Sequence, residues 1–150
     1  MENMTVAWLS QGKKLDQHIN YQLQALKMRR ESICGPGSSW TMGNRVQTST
    51  PEEARFAHAL ERVADMEEDI NRKIDQLADL RKQIERAIDQ VSQDDCRLTL
   101  RYRYLLGKSW PDIAEEMNAG KTTVKHWHQL GIQQVRLPDN AIWIGKEEMP

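Results

Sequence analysis

Lys121, Thr122, Lys125, His126 and Gln129 fall on one side of a helical pattern that begins within SWPDIAEEMNAGKTTVKHW, residues 109–127. Their chemistry suits a nucleic acid. Lys and protonated His engage phosphates or guanine acceptors, Thr bonds phosphate or touches a thymine methyl, and Gln pairs with adenine edges. Arg97, Arg101, Arg103 and Lys108 precede them and supply cations that could run along a phosphate backbone. The plainer reading of Lys-Thr-Thr is the solvated start of an ordinary helix. Other chemistries find no support: the sequence holds no nucleophile with a base, general acid and base pair, or phosphate-cradling glycine loop, so a non-enzymatic protein without a cofactor is expected. His126 and His128 are two apart and point away from each other on a helix, which argues against a metal pair.

The elements that must position these side chains can be read around them. Gln93 to Leu106 predicts a helix ended by Gly107. Ser109 then caps a short helix with Pro111 in its first turn and Asp112 three residues on as the reciprocal partner. Ile113 and Met117 share a face, and Ala114 beside them is small enough for the next helix to cross closely. After a break at Asn118-Ala119-Gly120, Val124 and Trp127 repeat the apolar spacing, so Ile113, Met117, Ala119, Val124 and Trp127 are expected to meet in one small core. Two short helices joined by such a turn form a helix-turn-helix, whose second helix enters the major groove by its N-terminal half.

Upstream, Phe56, Leu60, Val63, Ile70, Ile74, Leu77, Ile84, Ile88 and Val91 recur at steps of three and four, with Glu67 and Arg81 in the two interrupting slots. That is a coiled-coil seam on one long helix over residues 51–92, started by Thr50 as N-cap, Pro51 and Glu53. Glu67 and Arg81 read either as a buried pair that sets register or as solvated residues. Leu9, Leu15, Ile19, Leu23, Leu26 and Ile33 make a second amphipathic helix, and the Gly/Ser/Thr-rich loop 34–50 lets the chain reverse. The expected fold is therefore all-α: an antiparallel helical hairpin over 1–92, a helix-turn-helix module over 93–136 and a tail over 137–150. Because the second helix is longer than the first, part of its seam is expected to stay uncovered, favouring a homodimer or a contact with the C-terminal module. In the tail, Ala141-Ile142-Trp143-Ile144 is an apolar cluster expected to dock on the protein's own core.

Charge sorts with this division. The net charge is −1, yet residues 51–95 carry 7 basic against 13 acidic side chains and residues 96–136 carry 7 against 3. The two cysteines, Cys34 and Cys96, have no ligand-type spacing. Neither a signal peptide nor an apolar run of membrane-spanning length is present, so a cytoplasmic protein with no membrane contact is expected.

LRYRYLLGKSWPDIAEEMNAGKTTVKHWHQLGIQQV, residues 100–135, resembles region 4 of bacterial sigma factors, with a basic LR-R helix, a W/Y-x-x-IA-E-M/L helix and a T-V recognition helix. The wider span from WLSQGKKLDQHIN to QQV, including IDQLADLRKQIERAI, is similar to a family of small phage and prophage proteins of Gram-positive bacteria that join a helical hairpin to a sigma-region-4-like module. The resemblance implies a transcriptional regulator at a promoter in a bacterial host cell, bound to double-stranded DNA, with Lys121, Thr122, Thr123, Lys125 and His126 at the positions that enter the groove. The chain departs from that pattern at Asn118-Ala119-Gly120, where sigma factors usually have Gly, an aliphatic residue and Ser. Two rivals follow from the same features: an adaptor whose hairpin contacts RNA polymerase or a host factor, and a small terminase-like DNA packaging subunit.

Overall fold

The computed structural model describes residues 3–34 and 51–144. The predicted loop after Cys34, the cap at Thr50 and the tail beyond 144 lie outside the described residues. All regular structure among the described residues is helical: α1 (Met4–Cys34), α2 (Pro51–Asp89), α3 (Asp94–Leu100), α4 (Trp110–Glu116) and α5 (Lys121–Gln134), with one π-helical turn, Arg101–Leu105, continuing α3. At 1.5 Å per residue the 39 residues of α2 extend about 58 Å. The sequence reading divides the chain near residue 92, but the chain packs as two compact units that cut through both long helices, Met1–Asp16 with Gln76–Pro150, and Gln17–Asp75.

In the unit Gln17–Asp75 the two long helices run antiparallel, since Gln22 bonds Asp69 and Arg30 pairs with Glu67, partners falling in number on α2 as they rise on α1. Ile19, Leu26 and Ile33 of α1 are buried with Val63 and Ile70 of α2. Gln22 occupies the α1 seam between Ile19 and Leu26, and its Nε2 donates to Asp69 Oδ2 at 3.0 Å. A polar group in an apolar seam specifies register, because sliding the helices would strand it. Asp69 also binds Lys73 Nζ at 3.0 Å and the Arg72 guanidinium. The Gln22 hydrogen bond, then Lys73 and Arg72, hold its carboxyl well below the usual carboxylate range.

The seam on α2 differs from the expected one by a single residue on one of its two tracks. Val63, Ile70, Leu77, Ile84 and Val91 are buried as read, and so is Ile88. The other track runs through Ala59, Met66, Lys73, Leu80 and Ala87, all partly or fully buried, rather than through Leu60, Ile74 and the charged slots. Leu60 and Ile74 are 43% and 42% exposed on the flank. Lys73 takes a seam place because its methylene stem covers apolar surface while its ammonium reaches Asp69. Glu67 and Arg81 are not a buried pair. Glu67 holds Arg30, Arg81 lies 3.9 Å from Asp16, and all four side chains are at least 42% exposed. Leu23 and Ile74 lie one heptad from Arg30 and Glu67, so they share that flank, and Leu23 is 44% exposed.

The other unit is built on a core that no single stretch of sequence supplies. Trp8 and Leu9 of α1, Leu80, Ile84, Ala87 and Ile88 of α2, Val91, Cys96 and Leu100 of α3, Ile132 of α5 and Val135 are buried together. α5 crosses α3 at Gly131, where an added Cβ would lie 2.8 Å from Leu100 Cδ1 and 3.4 Å from the Cys96 carbonyl. The tail docks at home: Leu137 and Ala141 through Ile144 pack on this core. Two glutamines strap it there. Gln11 donates to Ile142 O at 3.0 Å and accepts from Ile144 N at 2.7 Å, while Gln83 donates to Asn140 O at 2.9 Å and accepts from Ile142 N at 2.9 Å. Each strap satisfies backbone groups of a segment that belongs to no helix or sheet.

Two outcomes are expected. Gly131→Ala should lower stability to urea by about 1–3 kcal/mol, since fully buried Leu100 has no room to retreat. Gly12→Ala, whose new methyl would sit 3.9 Å from Ile84 and the Tyr104 carbonyl, should instead be neutral or stabilise by up to about 1 kcal/mol through helix propensity. A fragment of residues 93–150, deprived of Trp8, Leu80, Ile84 and Ile88, should give no cooperative thermal transition by far-UV circular dichroism.

Candidate nucleic-acid interface

The segment that carries the candidate residues is held by local chemistry before it packs on anything. Ser109 Oγ accepts from Asp112 N at 3.3 Å and caps α4, with Pro111 in the first turn. Gly107, at φ +68, ends the preceding helix. After α4 the chain turns through Asn118 at φ 50, a left-handed conformation that Asn adopts more readily than branched residues because its short amide bonds locally. Ala119 N then donates to Ala114 O at 3.0 Å. Gly120 serves as N-cap of α5 with extended backbone, its carbonyl accepting from Val124 N at 3.0 Å, but without a side-chain cap.

Ile113, Ala114 and Val124 are buried together, with Met117, Ala119, Trp110, Trp127 and Tyr102 packed around them. The five residues expected to share an interior do so. Tyr102 reaches this small core because of the π-helical turn: Leu106 N donates to Arg101 O at 3.1 Å, an extra residue within the turn. The resulting rotation sends Tyr102 to the small core while Tyr104 and Leu105 pack on the large one.

With Val124, Gly131 and Ile132 buried, the opposite side of α5 faces outward. Lys121, Thr122, Thr123, Lys125, His126 and Gln129 are all exposed. Among the described residues neither Lys121 nor Lys125 has an ion-pair partner. Gln133, four residues after Gln129, is exposed on the same stripe; its spacing would have revealed it.

The cations placed before α5 are differently situated. Arg101 pairs with Asp89. The Arg103 guanidinium sits 4.5 Å over the Trp110 ring and donates to the Lys108 carbonyl at 3.1 Å. Lys108 Nζ bonds Glu116 at 2.9 Å and lies 5.1 Å from the Tyr102 ring, and the Glu116 hydrogen bond raises its pKa. These three brace the module, and the structure does not bring them into the unpaired set on α5. Arg97 likewise pairs with Asp94 and donates to Val91 O at 3.1 Å.

His128, considered in the sequence only as a ligand, is a packing residue. Its ring meets Trp110 edge-on at 4.9 Å and its Nε2 shares a 2.6 Å hydrogen bond with the Tyr104 hydroxyl. Burial, aided by the nearby Arg103 charge, pulls His128 down to about 4, and burial pushes Tyr104 up to about 12. Both are neutral at pH 7, so the contact joins α5 to the π-helical turn without a charge. The signal was its position four residues after Val124, on the buried side.

Compared with protein families, curated proteins and solved structures, the chain matches none.

Asn118→Gly should preserve stability, while Asn118→Val should lower it by about 1–2 kcal/mol, the cost of a left-handed branched residue. The His128 shift also gives a signed pH dependence. The unfolded chain takes up the imidazole proton near pH 6.5 and the folded one near 4, so stability is full above about 6.5 and declines toward about 4. Urea midpoints measured by tryptophan fluorescence across that range should show the decline, and His128→Gln should flatten it.

Proposed function

We propose that this chain is a sequence-specific, non-enzymatic DNA-binding transcriptional regulator of phage or prophage type, reading double-stranded DNA with the N-terminal half of α5. The observation that carries the reading is the pairing of a closed helix-turn-helix interior with an unpaired cationic outer face, Lys121 and Lys125 beside Thr122, His126 and Gln129. Lys121 and Lys125 engage phosphate or guanine, Thr122 and Thr123 bond phosphate or meet a thymine methyl, and Gln129 addresses an adenine edge. Arg101, Arg103 and Lys108 hold protein partners, so they shape the module and add field more than direct contact.

The turn supports the same reading. Where sigma region 4 usually has Gly, an aliphatic residue and Ser, Asn118 takes a left-handed conformation, half-buried Ala119 packs on the small core and Gly120 is the N-cap of α5. The departure from the sigma pattern leaves α5 without a side-chain capping hydrogen bond. The exposed flank of Leu23, Leu60 and Ile74 supports a homodimer, which would place two reading helices on paired half-sites.

Fluorescence anisotropy of the full chain on fragments of a phage genome tests the proposal. Affinity should fall with rising salt with a log–log slope of several units, and Lys125→Ala should reduce that slope by about 0.9 for its lost phosphate contact. Arg101→Ala should change it less. Absent or salt-independent binding would remove the proposal; retention of RNA polymerase by wild type and Lys125→Ala alike would then favour the adaptor.

A further inference from the structure

The arginines of this chain divide sharply by partner. Among the described residues, Arg30, Arg72, Arg81, Arg97 and Arg101 each hold a carboxylate, and Arg103 stacks on Trp110. The others, Arg29, Arg55, Arg62, Arg86 and Arg136, hold no carboxylate, and every one of them lines a cavity. Arg86 and Arg136 share theirs with Asp139, an acid able to answer them. Arg29, Arg55 and Arg62 share theirs with no acid among the described residues that line it.

That cavity lies in the unit Gln17–Asp75, where α1 ends and α2 begins, and has a volume of about 530 Å³. Arg55, His58 and Arg62 follow at steps of three and four on α2, so they stand along one face of the helix, and Arg29 and Ser32 approach from α1. Ala54 and Ala59 are too small to fill the space between the long side chains, and they leave an apolar floor. His58 is drawn toward Glu61 at 3.4 Å and stays at the rim. Three guanidiniums that line one cavity and hold no carboxylate make a recognition surface for oxyanions, since the planar fork bonds phosphate two hydrogen bonds at a time. The volume is that of a small-molecule site, and the floor suits a flat apolar body.

We infer that Arg29, Arg55 and Arg62 form a binding site for a small phosphate-bearing ligand with a ring body, of the nucleotide class. The phosphates lie among the guanidiniums and the ring rests on Ala54 and Ala59. The site shares no residue with α5, so the inference stands whether or not the chain binds DNA.

Isothermal titration of the full chain with ATP, pyrophosphate and adenosine as separate probes tests this. ATP should saturate with Kd below about 1 mM. Pyrophosphate should bind more weakly and adenosine not measurably. The double variant R55Q/R62Q should weaken ATP about tenfold or more, the loss expected for charge-assisted hydrogen bonds. Arg86→Gln, in the other cavity, and Lys125→Ala, on α5, should leave the titration unchanged. Both substituted arginines are exposed, and an unaltered circular dichroism melt establishes that the double variant is folded. The inference is overturned if neither ATP nor pyrophosphate saturates, or if R55Q/R62Q binds like wild type. It is also overturned if light scattering shows a dimer that R55Q/R62Q dissociates while ATP fails to bind, since a second copy would then occupy the groove.

Discussion

The structure of the C-terminal module depends on a core that it shares with the ends of the hairpin. Trp8, Leu9, Leu80, Ile84 and Ile88 are fully buried together with Leu100, and Ile132 of α5 packs among them. Each large side chain so buried contributes about 1.5–3 kcal/mol. The small interior of Ile113, Ala114 and Val124 could not hold three short helices by itself, because elements of 7 residues lie far below the length at which a helix persists in water. The helix-turn-helix is therefore the exposed end of a larger packed unit.

This arrangement explains how α5 is aimed. One side of it lies on α3 at Gly131 with no room for a methyl, another on α4 through Val124, and His128 bonds the hydroxyl of Tyr104. Three independent contacts fix the rotation of the helix about its axis, and the remaining side carries Lys121, Thr122, Lys125, His126 and Gln129. The proposed reading of base edges would need that fixity, since a misplacement of about 1 Å disrupts paired hydrogen bonds. The π-helical turn serves the same end by letting one stretch, RYRYL, send aromatic residues two apart to two different cores.

Charge in this protein is distributed by whether it is answered. Between the long helices, Asp16 and Glu67 meet Arg81 and Arg30, and Gln22 bonds Asp69, contacts that flank or complete the seam and fix its register more than its stability. Around α3 and α4, Arg97, Arg101, Arg103 and Lys108 are similarly engaged. Among the described residues, the arginines left without a carboxylate line two cavities, and Lys121 and Lys125 stand unpaired on the face of α5.

Much of this was written in local sequence. The all-α class, the long helix from Pro51, the cap at Ser109 and the interior of Ile113, Met117, Ala119, Val124 and Trp127 follow from spacing, because side-chain periodicity is a property of one helix and needs no partner. The exposure of Lys121, Thr122, Lys125, His126 and Gln129 follows in turn, as the complement of that interior. Tertiary structure decided whatever depends on a second surface. Leu60 and Ile74 were as apolar as Met66 and Leu80, and only the position of α1 selects which track is covered. Arg101, Arg103 and Lys108 are equally basic in the sequence, but distant Asp89, Trp110 and Glu116 come to occupy them. The tail's place was set by Gln11 and Gln83, whose amides bond backbone more than 50 residues away. A one-dimensional pattern states which side of a helix is apolar; what lies against that side is fixed only when the chain closes on itself.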